Sequence, residues 1–320
     1  MKNADLVLGT MTFGESVFGS DVGEFVNAFL DAGYKELDTA YVYNDGKCEQ
    51  LLGEALKNIG KPYKISTKVN PRISGKLDGK AAYDQLSESL ERLGIECVDT
   101  FYLHFPDPFT PVDSVLKACA DLYCRGKFKE LGLSNFPAWM VADVHHKCSK
   151  NGWVKPTVYE GIYNPLTRKA ETELNDCLNY FGMRFYAYNP LVGGLLTGRY
   201  RKFEDSPTDG RFTHRPNYCG RYWKKSYFNA VALIKEISMK HGITPIEATY
   251  RWMAYHSVLN GERGDAIIIG ASKLDHLMQN METVKSGPLP NDIIEAFDEA
   301  WNICKADSPE YFTLFKGKAR

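Results

Sequence analysis

No stretch of this chain is apolar enough to cross a bilayer. Its aliphatic runs are as short as Ile267–Ile269, where a spanning helix needs about 20 apolar residues. Neither sign of charge is in surplus: 39 Lys and Arg stand against 40 Asp and Glu, a formal net charge of -1. That balance argues against a nucleic-acid binder and rules out the acidic excess of a disordered chain. The opening MKNADLVLGT carries one Lys and no apolar block ahead of a small-residue cleavage site, so no signal peptide is expected. Paired cysteines are also missing. Cys48, Cys97, Cys119, Cys124, Cys148, Cys177, Cys219 and Cys304 are scattered singly, with no CxxC and no N-x-S/T sequon. Scattered thiols point to a reducing, cytoplasmic setting. The dinucleotide fingerprint GxGxxG is absent from the first apolar run, VLGTMTFGES, which argues against a doubly wound sheet.

What the chain does have is alternation of two kinds of segment. Strand candidates are Leu6–Thr12, Tyr34–Ala40, Lys64–Val69, Val98–Phe105, Phe128–Asn135, Thr157–Asn164, Arg184–Leu191 and Ala266–Ser272. Several, such as AIIIGAS, are apolar without alternation, as parallel strands covered on both faces should be. Helical patterns lie between them, at Cys48–Ile59, Ala82–Leu93, Val112–Arg125, Ala138–Lys150, Glu171–Phe181, Ser226–His241 and Leu274–Lys285, with a further helix at Asn291–Cys304. Gly33, Gly60, Gly94, Gly126, Gly152, Gly182 and Gly242 each follow a helix, the position where a left-handed cap favours glycine. Eight β–α units predict a single-domain α/β (β/α)8 TIM barrel over residues 1–320. The long segment Leu195–Lys225, after the seventh strand, has the composition of a structureless lid or binding loop.

In such a barrel the chemistry sits at the C-terminal ends of the strands. There the sequence places Asp38 with Tyr43 beyond it, Lys68, His104, Ser134 and Asn135, Glu160, Tyr188 and Asn189, and Ser272. A Lys and an Asp within apolar strands are costly unless they pair, so Lys68 and Asp38 are expected to neutralise each other in the barrel mouth. Tyr43 would then lie near a buried ammonium, which lowers a phenol's pKa and makes it a proton donor. His104 would donate to the same substrate oxygen. This set suits a carbonyl that accepts hydride: it offers donors and a cation and needs neither nucleophile nor metal. The hydride has to come from a cofactor.

These residues resemble the aldo-keto reductase superfamily over about residues 5–312. DTAYVY carries the family's Asp and Tyr at Asp38 and Tyr43, STKVNP its Lys at Lys68, and DTFYLHFPD its His at His104. GLSNF resembles the segment that holds the nicotinamide carboxamide, with Ser134, Asn135 and Glu160 as contacts. AYNPLVGGLLTGRY resembles the segment whose Tyr188 stacks on the nicotinamide and whose Asn189, Leu191, Gly193, Gly194, Leu195, Gly198 and Arg199 fold over the pyrophosphate. GASKLDHLMQNM resembles the adenosine 2′-phosphate grip, at Ser272, Lys273, His276, Gln279 and Asn280. GTMTFG, STKVNP, NPLVGGLLTG and RYWKKSYF are similar to the aflatoxin-aldehyde reductase branch. The resemblance implies NADPH (NADP+), reduction of a small-molecule aldehyde or ketone, and by analogy a homodimer.

Three positions depart from the family pattern. Glu160 stands where Gln is usual, and His276, with Lys273 nearby, where Arg is usual in the phosphate grip. Tyr311–Phe312 runs on into Thr313, Leu314, Phe315 and a basic end, where the branch has an Arg that pairs with substrate carboxylate. A bulkier, less acidic carbonyl is therefore the expected substrate. Its pocket rim would include Met11, Phe13, Tyr41, Phe105, Trp139, Arg221, Tyr222 and Trp223. Two other readings remain open on sequence: a regulatory cofactor-binding barrel with little turnover, and a biosynthetic alcohol dehydrogenase running oxidatively.

Overall fold

A computed structural model describes residues 3–317 apart from 206, 208, 209 and 216. Lys318 and Arg320 of the basic end lie outside the described residues. Eight strands close into a parallel barrel, each paired with its sequence neighbours and β8 returning to β1. They are β1 (Asp5–Gly9), β2 (Glu36–Asp38), β3 (Lys64–Val69), β4 (Val98–Leu103), β5 (Phe128–Ser134), β6 (Pro156–Ile162), β7 (Arg184–Tyr188) and β8 (Ala266–Ile269). All eight expected strands form. Most stop short of their expected C-terminal ends, because ladder pairing ends where the strands splay at the mouth. Thr39, His104, Asn135, Asn189 and Ser272 consequently lie on the turns just beyond.

Helices cover the outside: α1 (Ser20–Asp31), α2 (Lys47–Leu56), α3 (Gly79–Leu93), α4 (Val112–Cys124), α5 (Ala138–Asn151), α6 (Leu174–Phe181), α7 (Lys225–Lys240), α8 (Pro245–Tyr255), α9 (Leu274–Thr283) and α10 (Asn291–Cys304). Of these, α1 and α8 were not among the segments read from periodicity. Six of the seven expected cap glycines have positive φ; Gly60 does not. The segment 195–225 is not structureless. It contains short helical turns at Arg211–His214 and Asn217–Tyr222, where Phe212, Tyr218 and Tyr222 are buried. All eight cysteines are free thiols. No helix among the described residues is long and apolar enough to cross a membrane.

A strand turns alternate side chains to opposite faces, and that parity builds the site. Val7, Tyr102, Val158, Tyr186, Ala266 and Ile268 form a small core inside the barrel. Their neighbours Leu6, Leu8, Phe101, Leu103, Tyr159, Phe185, Ile267 and Ile269 join the larger core under the helices. Two residues on from Glu36, Ser66, Tyr102, Gly132, Val158 and Tyr186 come Asp38, Lys68, His104, Ser134, Glu160 and Tyr188. The inward positions thus change from a mixed layer, apolar except at Glu36 and Ser66 and with tyrosines at 102 and 186, to a nearly all-polar uppermost layer.

Gly132 makes room for the layer below. It is the register partner of Tyr102, and a Cβ there would stand 2.3 Å from that ring. Gly132→Ala should therefore destabilise the barrel by about 1–3 kcal/mol through overpacking. Urea unfolding measures this; an unchanged midpoint would show that Tyr102 has room to move.

Candidate active site

The centre of the site is the Lys68 ammonium, fully buried inside the barrel. Its Nζ donates to Asp38 Oδ1 at 2.5 Å and to the Thr39 carbonyl at 2.8 Å. Glu160 Oε2 stands 3.3 Å away on the opposite wall, without the geometry of a hydrogen bond. Ser66 donates to the same Asp38 oxygen at 2.7 Å. Burial pushes the ammonium toward neutrality, but Asp38 and Glu160 more than offset this and raise the Lys68 pKa. Lys68 is therefore a fixed cation.

Tyr43 lies beside it, with Nζ 5.3 Å from the ring centroid. The expected lowering of the Tyr43 pKa is not found: it rises, chiefly through burial. Lys68 pulls it down, but Asp38 and Glu160 push it up. Burial outweighs the one ammonium, and the phenol keeps its proton throughout the physiological range. The backbone holds Tyr43 in an unusual turn, where Asn44, Asp45 and Gly46 have φ of 49°, 55° and 86°. Asn44 Nδ2 secures it by donating to the carbonyls of Met11 (2.9 Å) and Phe13 (2.7 Å). Behind it, Arg92 of α3 donates to the Tyr41 carbonyl and to the buried carboxylate of Glu49.

His104 meets Tyr43 edge to face at 5.9 Å. Burial, with Lys68 and Arg72 adding to it, drives its pKa well below the usual histidine value, so the ring is neutral. Its tautomer follows from the hydrogen bonds. Asn70 Oδ1 accepts from the Arg72 amide at 2.9 Å, which turns Asn70 Nδ2 toward His104 Nδ1 at 3.1 Å. Nδ1 must then accept, leaving the proton on Nε2. Gln85 of α3 fixes Asn70 by accepting from its amide (2.8 Å) and donating to its carbonyl (3.1 Å). Asn70 and Gln85 were not anticipated; the Asn-Pro step after β3 is a helix N-cap signal that accounts for the Asn70 Oδ1 contact with the Arg72 amide, and it says nothing of His104.

The carboxamide-side residues adjoin this set. Tyr188 donates to Asn135 Oδ1 at 2.7 Å, and Asn135 Nδ2 donates to the His104 carbonyl and to Ser134 Oγ. Asn135 and Asn189 both have left-handed φ, 63° and 66°. Asn189 donates to Tyr222 at 2.6 Å and accepts from the Gly193 amide at 2.9 Å. Val192, Gly193 and Gly194 continue with positive φ, a folded-back loop with Leu191 and Leu195 at its ends. Beyond it, Gly198 lines a surface groove against α7, and Arg199 donates to Tyr200. At the end of β8, Ser272, Lys273, His276 and Gln279 are exposed and Asn280 is buried. The α9 N-terminus follows Lys273 with no side-chain cap, so its first amides are free to meet an anionic group. Arg211 of the long loop reaches the same region, near Gly270. These features fit a nicotinamide dinucleotide laid from Tyr188 across the β7 loop to α9.

The rim residues divide. Phe105 stacks on His104 at 4.6 Å, and Arg72, not anticipated, lies 4.1 Å over Phe105. Met11 is half-buried beside Asn44, and half-buried Arg221 faces Tyr188. The others belong elsewhere. Phe13 is fully buried and packs on Phe25 of α1. Tyr41 points outward, donating to Glu88 of α3 at 2.5 Å beneath Arg92. Trp223 packs among Tyr200, Phe212 and Phe228 and donates to the Phe203 carbonyl, anchoring the long loop. Trp139 is 66% exposed on α5, and Tyr222 is buried beneath Asn189. Aromatic type alone did not say which way each ring points.

The sequence model of the aldo/keto reductase family matches residues 5–302. The chain belongs to that family. It is 46% identical over 319 residues to aflatoxin B1 aldehyde reductase member 2 of Rattus norvegicus, covering 96% of this chain and 87% of the relative. It is 45% identical to the Homo sapiens protein of that name, covering 96% and 89%. Against Homo sapiens aldo-keto reductase family 7 member A3 it is 44% identical, covering 96% of each. This aldo-keto reductase is an oxidoreductase of small carbonyl compounds that uses a nicotinamide cofactor; the regulatory and oxidative readings are not favoured.

Asn70→Ala should release the His104 tautomer. One lost neutral hydrogen bond is worth about 0.5–1.5 kcal/mol, so kcat/KM for carbonyl reduction should fall about 2–13-fold with cofactor affinity retained. A fall in cofactor affinity instead would show that Asn70 holds the cofactor pocket rather than the imidazole.

Proposed function

We propose that the chain reduces an aldehyde or ketone with NADPH, with Tyr43 as general acid. The observation that carries this is the convergence of the Tyr43 phenol and the neutral His104 ring, 5.9 Å apart, above one buried ammonium. When bound, the cofactor supplies the hydride. As it reaches the carbonyl carbon, negative charge grows on the carbonyl oxygen. His104 Nε2–H donates to that oxygen and orients it. Tyr43 passes its proton to the oxygen, and the resulting phenolate is stabilised by Lys68. Asp38 keeps the Lys68 ammonium on the Tyr43 side of the barrel. Ser134, Asn135 and Glu160 would hold the carboxamide, and Tyr188 would support the ring. The preference for NADPH is supported by Lys273 and His276 beside the uncapped α9 terminus, where a 2′-phosphate finds positive charge and free amides.

The substrate class inferred from the tail is revised. Arg72 and Arg221 reach the mouth from opposite sides, close enough that Arg221 adds to burial in lowering the Arg72 pKa. Neither has a carboxylate partner among the described residues. Two uncompensated guanidiniums beside Phe105 and Tyr188 favour a carbonyl compound bearing an anionic group.

Tyr43→Phe should lower the rate of hydride transfer by about 10²–10⁴ while leaving cofactor binding intact; a smaller loss would mean the acid lies elsewhere. Arg72→Met should reduce the preference for a carboxylated aldehyde over a neutral one of similar size by about tenfold or more. Competition assays with such a pair measure it, and an unchanged ratio would return the substrate class to neutral carbonyls.

A further inference from the structure

Glu160 is the polar residue of the uppermost layer that the reduction leaves without a charge balance. It is 3% exposed, and its Oε2 makes no hydrogen bond. Lys68 Nζ lies 2.5 Å from Asp38, 2.8 Å from the Thr39 carbonyl and 3.3 Å from Glu160, and it donates to the first two. Asp38 therefore takes most of the cation's attraction and also receives Ser66. The groups facing Glu160 are Asp38 from β2, Lys68 from β3, Tyr102 from β4, Tyr43 from its turn and Tyr188 from β7, with Tyr159 on its own strand. Lys68 is the one cation of that set. With both acids ionised, the cluster would carry one uncompensated negative charge in a buried site, which is costly. One proton removes it, and it goes to the carboxylate held less well.

We propose that Glu160 is a proton-binding residue of the barrel mouth, protonated in the cofactor-free enzyme and ionised when an oxidised nicotinamide places positive charge beside it. Protonated, it is a neutral group that can both donate and accept, as an amide does. Ionised, it is a counter-charge. Binding of the oxidised cofactor then releases a proton, and binding of the uncharged reduced ring does not. Rising pH favours the oxidised form by the same linkage. Burial first, and Asp38 next, raise the Glu160 pKa to about 8, against the pull of Lys68. The coupling to cofactor rests on the carboxamide reading above; the protonation stands on the cluster alone.

Two measurements separate these. Infrared spectra of the cofactor-free protein, wild type minus Glu160→Gln, should show a carboxylic-acid band near pH 7 that is lost as pH rises through about 8. A band that Glu160→Gln leaves unchanged overturns the protonation. Should that variant not fold, wild-type protein carrying 13C at its glutamate carboxyls gives the same titration by NMR, and no glutamate titrating above the ordinary range overturns it too. Calorimetry of NADP+ binding near pH 7, in buffers of different ionisation enthalpy, should show release of up to about one proton in wild type and none in Glu160→Gln. Equal release in the two proteins overturns the coupling. Failure of NADP+ to bind at all overturns the cofactor reading and the coupling with it, and leaves the infrared result to decide the protonation.

Discussion

A primary ammonium inside a barrel is the constraint on which the rest depends. Taking Lys68 out of water costs several kcal/mol unless partners replace its hydration, and Asp38 and Thr39 at the end of β2 and Glu160 of β6 do so. Because side-chain parity sends Asp38, Lys68 and Glu160 to the same face, the closed barrel places them together without a dedicated loop. Tyr43 and His104 are then arranged around a charge whose position is fixed. Removing one partner of the Lys68–Asp38 pair would leave a buried charge uncompensated, a loss of about 3–5 kcal/mol.

The tyrosine shows how magnitude decides the chemistry. A cation beside a phenol suggests an acidified donor, yet burial, with Asp38 adding to it, outweighs Lys68 in the resting site. In the proposed reaction the cation's role would be to stabilise the phenolate that appears once the proton has left. The neutral His104 is held in the complementary way, by an amide network running from α3 through Gln85 and Asn70. In the proposed reaction one side of the carbonyl oxygen would be served by a charge and the other by a fixed tautomer.

Much of this was legible in sequence. Strand positions followed from short apolar runs and cap glycines, and Asp38, Lys68 and His104 stood out as polar groups at the ends of such runs. The long loop was located correctly, but its order was not, because Phe212 packs on Tyr218 and Trp223 across the break between two short helical turns, which no single period encodes. Phe13, Tyr41 and Trp223 were assigned to the pocket by residue type, and the structure turns each elsewhere. Asn44 was invisible for a similar reason. It ties the Tyr43 turn to the first loop and accepts from Arg215, whose guanidinium also pairs with Glu15 at 3.0 Å. That contact spans 171 positions in sequence and brings the long loop over the turn that carries the acid.

The central claim is that the Lys68 ammonium drives proton transfer from Tyr43. Lys68→Met keeps the length of the side chain and removes its charge. Single-turnover hydride transfer, with cofactor binding and cooperative thermal unfolding followed in parallel, tests it most directly. The account predicts a folded, cofactor-binding protein whose transfer rate is lower by at least about 10². A folded variant transferring hydride at close to the wild-type rate would contradict it.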